Sequence, residues 1–181
     1  MRMFNVEKNT ANGGSARISA CHVDGPFRDD EAALAAAEQE EAEIRRDPQS
    51  VFKRFFSEAE RMRANLMELL TRIHAQGRSI YLYGASTKGN VLLQFCGIDH
   101  RLIKAAADRN PQKLGALTPG TNIPIVSEEQ ARAERPDYFL VLPWHFRDEF
   151  IAREGDFLAS GGHFIFPRPT LQIYPEQTIR A

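Results

Sequence analysis

The stretch GASTKGN, Gly84 to Asn90, joins the apolar run IYLY to the helical pattern VLLQFCGI. Gly84 lets a chain turn sharply after a strand, and Ser86 or Thr87 can cap the helix that follows. Free amides and the helix dipole at such an N-terminus favour an anion, and Lys88 would add a full positive charge beside it. The same residues also fit a capped helix with a solvated lysine. Neither well-known glycine loop is complete. The dinucleotide fingerprint needs a glycine between Gly84 and Gly89, and the P-loop needs its lysine after the second glycine.

Asp108 ends the next apolar run, about twenty positions on, where nucleotide-binding sheets place an acid on the ribose. A turn-forming Asp before Asn110-Pro111 explains it equally well. Pro143, Trp144 and His145 follow the run YFLVL, offering an aromatic plane and a polar ring at a strand end. No Ser–His–Asp set, metal-ligand spacing or carboxylate pair can be assembled.

These loops need a scaffold that brings strand ends together. Short apolar runs (IYLY, IKAAA, YFLVL, HFIFP) alternate with helical segments opening near Thr87, Ser127 and His145, and SEEQ resembles a capping box. That alternation predicts an α/β fold: a Rossmann-like, mostly parallel sheet with helices on both faces, ligands sitting beyond the strands' carboxyl ends. A long helix precedes it, with Val51, Phe52, Phe55, Phe56, Ala59, Met62, Leu66, Leu69, Leu70 and Ile73 on one stripe. The stripe could be a partner surface, but packing on the chain's own sheet is the favoured expectation. Phe4 to Ala20 reads as extended structure broken by the turn NTANGG, and Arg28 to Asp47 as a surface helix or a partly ordered linker.

The chain has 181 residues, 43% hydrophobic and 26% charged, which fits a globular protein. A net charge of -1 leaves no basic excess for nucleic acid. Two cysteines, Cys21 and Cys96, are too few for a disulfide framework and read as small buried hydrophobes. No run approaches a membrane span and no leader is recognisable, so a cytoplasmic protein is expected.

Five segments in one order, GGSARI, YGASTKGNVLLQFCGI, ADRNPQKLGALTPGTNIPIVS, PDYFLVLPWHFRDEF and GGHFIFPRPTLQI, resemble the C-terminal region of the S-adenosylmethionine-dependent sugar C-methyltransferases. Enzymes of that family methylate a keto-sugar carried on a nucleoside diphosphate. The resemblance implies a zinc-binding N-terminal module, a central methyl-donor domain and a C-terminal domain that helps hold the nucleotide sugar. Residues 1–25 are similar to the last strands of the central domain, 26–48 to a helical linker, and 49–181 to the C-terminal domain. Neither zinc ligands nor a donor loop is present, so S-adenosylmethionine and zinc are implied only for a full-length member. The expected partner is a nucleoside-diphosphate sugar facing Gly84, Ser86, Thr87, Lys88, Gly89, Asn90, Asp108, Pro143, Trp144 and His145. In place of the family's tryptophan–asparagine pair stands Trp144-His145.

The resemblance thus implies a substrate-binding domain that does no chemistry alone. The competing reading is a regulatory or assembly module for a separate methyl-donor domain. An NAD-dependent oxidoreductase is disfavoured by the incomplete glycine fingerprint. Unpaired strands at the N-terminus also predict a homo-oligomer.

Overall fold

The computed structural model describes residues 1–176, so the last five residues of the expected C-terminal domain lie outside the described residues. The chain forms two compact units, Met1–Glu58 and Ala59–Ala181.

The first unit holds an antiparallel hairpin of β1 (Arg2–Asn9) and β2 (Ser15–Cys21), with Val6 opposite Ile18. Its connection uses Asn12, Gly13 and Gly14, all at positive φ, as the sequence NTANGG demands. Helix α1 (Glu31–Arg46) is capped by Asp30, whose Oδ1 accepts from the Ala33 amide at 3.0 Å. Asp47 does the same for α2 (Pro48–Ala75), accepting from Ser50 at 3.1 Å, with Pro48 in the first helical position. None of the described residues in this unit is buried.

That observation corrects the expectation for the long apolar stripe. Leu66, Leu69, Leu70 and Ile73 are buried against the sheet, whereas Phe52, Phe55 and Phe56 are 55%, 61% and 60% exposed. Length explains the difference. A helix of 28 residues runs about 42 Å, while a four-residue strand spans only about 13 Å.

The second unit is built on a sheet ordered β5-β4-β3-β6-β7-β8. Its strands are β3 (Ile80–Tyr83), β4 (Ala106–Asp108), β5 (Ile125–Ser127), β6 (Tyr138–Val141), β7 (His163–Phe166) and β8 (Gln172–Tyr174). All pairings are parallel except β7 with β8. Sequence patterning located β3, β4, β6 and β7. It passed over β5 and β8, each only three residues long.

Both faces of the sheet are covered, because β3 and β6 are apolar at every position. On one face α2 and α3 (Thr87–Cys96) bury Leu66, Leu70, Leu92 and Leu93 on Leu82, Leu140 and Ile165. On the other, Tyr83, Phe139 and Phe164 pack with Ala131 of α4 (Glu128–Ala133), Phe150 of α5 (Arg147–Arg153) and Phe157 of α6 (Gly155–Ala159). Cys96 sits in the first of these layers, and burial pushes its thiol up to about 11. Cys21, in the other unit, is only partly buried.

Candidate functional site

The strand order reverses between β3 and β6, because chain growth proceeds outward from β3 in one direction and from β6 in the other. Parallel sheets open a crevice at such a point, beyond the strands' carboxyl ends, since the two crossovers leave in opposite directions. A crevice of about 370 Å³ lies there, lined by Gly84, Ser86, Asp108, Pro143, Phe146 and Arg153 among others.

Local chemistry fixes its walls. Gly84 leaves β3 at φ +87°, and a Cβ there would meet Pro143 at 3.2 Å, so the two loops touch across the switch point. Ser86 then caps α3, its Oγ accepting from the Gly89 amide at 3.1 Å. A Cβ on Gly89 would fall 2.5 Å from Leu142 Cδ1, so this glycine lets α3 lie close on the sheet.

Asp108 turns toward the β3–α3 loop. Its Oδ2 accepts from the Ala85 amide (2.9 Å) and from Lys113 Nζ (3.1 Å), and its Oδ1 from the Asn110 amide (2.8 Å). Lys113 also donates to the Ala85 carbonyl at 2.9 Å, closing a three-residue clasp. Burial favours the neutral acid, yet the two amides and Lys113 outweigh it and hold Asp108 below its ordinary value.

The sequence-predicted residues therefore divide. Gly84, Ser86, Asp108 and Pro143 line the crevice, whereas Thr87, Lys88, Gly89, Asn90, Trp144 and His145 do not. Trp144 packs against both hydrophobic layers. His145 is pushed below its ordinary value, first by burial and then by the charge of Lys88. Asn90 keeps a buried side-chain oxygen without a hydrogen-bond partner.

Several lining groups escaped the sequence reading: Tyr83, Arg109, Lys113, Glu128, Phe146 and Arg153. Arg153 lies over the rings of Tyr83 and Phe150 at 5.3 and 5.4 Å and bonds to the Tyr83 hydroxyl and to Glu128. Behind it, Glu154, 3% exposed, accepts from Tyr83 and Arg132. Burial and the Glu154 carboxylate together push the Tyr83 phenol well above its ordinary range, while the bond from Arg153 opposes them. These residues come from separate elements and loops between β3 and α5, so no local spacing announces them.

A larger cleft, about 890 Å³, runs beside β8 and the C-terminal half of α2. Its charged lining is Glu68, Arg72, Arg147 and Glu176, two of each sign, and the switch-point crevice is balanced likewise, with Arg109, Lys113 and Arg153 beside Asp108, Glu128 and Glu149. The switch-point crevice is the better candidate because its position follows from the topology.

Among the described residues no group of three or more His, Cys, Asp or Glu side chains could hold a metal ion. Asp108, at the position where nucleotide-binding sheets place an acid on the ribose, has three protein donors on its carboxylate. No helix is long and apolar enough to cross a membrane among the described residues.

Comparison with known proteins agrees with this architecture. The family model for the C-methyltransferase C-terminal domain matches residues 10–169. The C-methyltransferase NovU of Streptomyces niveus is 37% identical over 175 residues, covering 96% of this chain. The match spans only 41% of NovU, so the relative carries a large portion with no counterpart here. A family match over most of the chain, joined to a mostly parallel sheet with both faces covered, decides the assignment: the chain belongs to the C-methyltransferase C-terminal domain family.

Proposed function

We propose that this chain is the nucleotide-sugar-binding domain of an S-adenosylmethionine-dependent sugar C-methyltransferase, with its Rossmann-like sheet holding substrate for a methyl-donor domain. The observation that carries the reading is the switch-point crevice: its walls bring arginine, lysine and phenylalanine to the strand ends. The aromatic ring suits a planar ligand, and the Arg109 guanidinium, not taken by a carboxylate among the described residues, suits an anion beside it. Binding and orientation are the roles these residues support. Chemistry is assigned to the donor domain.

Calorimetric titration with dTDP, a dTDP-sugar and S-adenosylmethionine tests this. Saturable binding of the first two, with none of the third, is the expected result. Tight binding of S-adenosylmethionine would overturn it.

A second reading draws on the absence of any buried residue in the N-terminal unit among the described residues. A unit with no core of its own fits a regulatory or assembly module that completes itself on a partner. Thermal shift separates the two readings, since a ligand of the folded state raises the melting temperature. No shift with any nucleotide would favour the module.

A further inference from the structure

We propose that Phe146 is the stacking platform of the crevice, taking the base of a nucleoside diphosphate, and that Arg109 opposite receives the diphosphate. This assignment rests on the nucleotide reading above and names the two groups that carry it. Phe146 lines the crevice yet remains 41% exposed, a costly position for an aromatic side chain without a partner. Its ring is held in place, with His145 at 4.4 Å on one side and Phe150 edge-on at 6.1 Å. The turn beneath is fixed by the Phe146 amide donating to the Pro143 carbonyl at 3.0 Å. A rigid, half-exposed ring offers a planar ligand a surface without ordering cost.

Three cations and three carboxylates (Asp108, Glu128 and Glu149) line the same crevice, and the cations differ in what they already hold. Lys113 is engaged by Asp108 and the Ala85 carbonyl. Arg153 is engaged by Glu128 and Tyr83. Arg109 is exposed and makes no hydrogen bond or ion pair among the described residues. It follows Asp108 directly at the end of β4, where the clasp on Asp108 fixes the backbone that carries it. A guanidinium there, with its fork untaken, suits bidentate contact with phosphate oxygens.

The test titrates dTDP and inorganic pyrophosphate into the parent chain and into Phe146→Ala, Phe146→Tyr and Arg109→Met, following heat and the fluorescence of the neighbouring Trp144. Both altered side chains are exposed, and matching melting curves check that the variants fold. Phe146→Ala should weaken dTDP about tenfold, the scale of one lost base–aromatic stack, and leave pyrophosphate unchanged. Phe146→Tyr should retain parent affinity. Arg109→Met should weaken both ligands and flatten the salt dependence of binding. Parent binding of dTDP with unchanged affinity in Phe146→Ala would overturn the platform and leave the nucleotide reading standing. Failure of the parent to bind dTDP or the dTDP-sugar would overturn both.

Discussion

Asp108 shows how a single carboxylate can serve the fold where its position alone points to a ligand. Its three donors bind the ionised form, so its folded value lies below the ordinary one. The stability it contributes is therefore present above the unfolded value, about 4, and is lost as pH falls through the lower folded value. Replacing Asp108 with alanine should cost about 1.5–3 kcal/mol at pH 7, as for hydrogen bonds to a charged group. Denaturant melts should show that difference shrinking at pH 3 and below. The Lys88–His145 pair gives a second prediction at this scale. Burial and the Lys88 charge both hold His145 down, so Lys88→Ala should raise the His145 value partway, read by NMR titration of the ring. An unchanged titration would separate the two groups.

At the scale of elements, α3 joins the loop to the sheet through Gly89. Its missing Cβ leaves room for Leu142, which would otherwise be overlapped at 2.5 Å. Gly89→Ala should therefore destabilise by about 1–3 kcal/mol, the usual range for overpacking, although alanine favours helices elsewhere. Paired substitution with Leu142→Ala should recover part of that loss, because the cavity and the added methyl compensate. Urea denaturation of both variants decides it, and a neutral Gly89→Ala would show that α3 can move away from β6. A glycine that reads as a phosphate-loop residue in the sequence thus has a demonstrable packing role as well.

For the whole molecule, the division into a buried sheet unit and a unit with no buried described residue governs what the chain should do in solution. Amides of β3 and β6, apolar and fully buried, should exchange slowest. Those of β1 and β2 should exchange quickly, since a two-stranded hairpin has little stability alone. Self-association is expected too, driven by Phe52, Phe55 and Phe56, each more than half exposed. Sedimentation velocity should show concentration-dependent association that Phe55→Glu reduces. A concentration-independent monomer would oppose this and leave those rings to a different partner.

The sequence by itself determined the α/β class, the strands β3, β4, β6 and β7, the helix opening at Ser86 and the family, because periodicity, caps and motif order are local properties of the chain. Ser127 capping α4 was legible for the same reason, its Oγ accepting from Gln130 at 3.0 Å. What the tertiary structure decided was which residues meet. Arg109, Phe146 and Arg153 reach one crevice only because β4 and β6 lie on either side of β3. Asp108 bends toward Ala85 only because Lys113 and two amides converge there. The apolar stripe of α2 looked uniform in sequence, yet its N-terminal phenylalanines are exposed, since hydrophobic spacing encodes a face and says nothing of how far a short-stranded sheet can cover it.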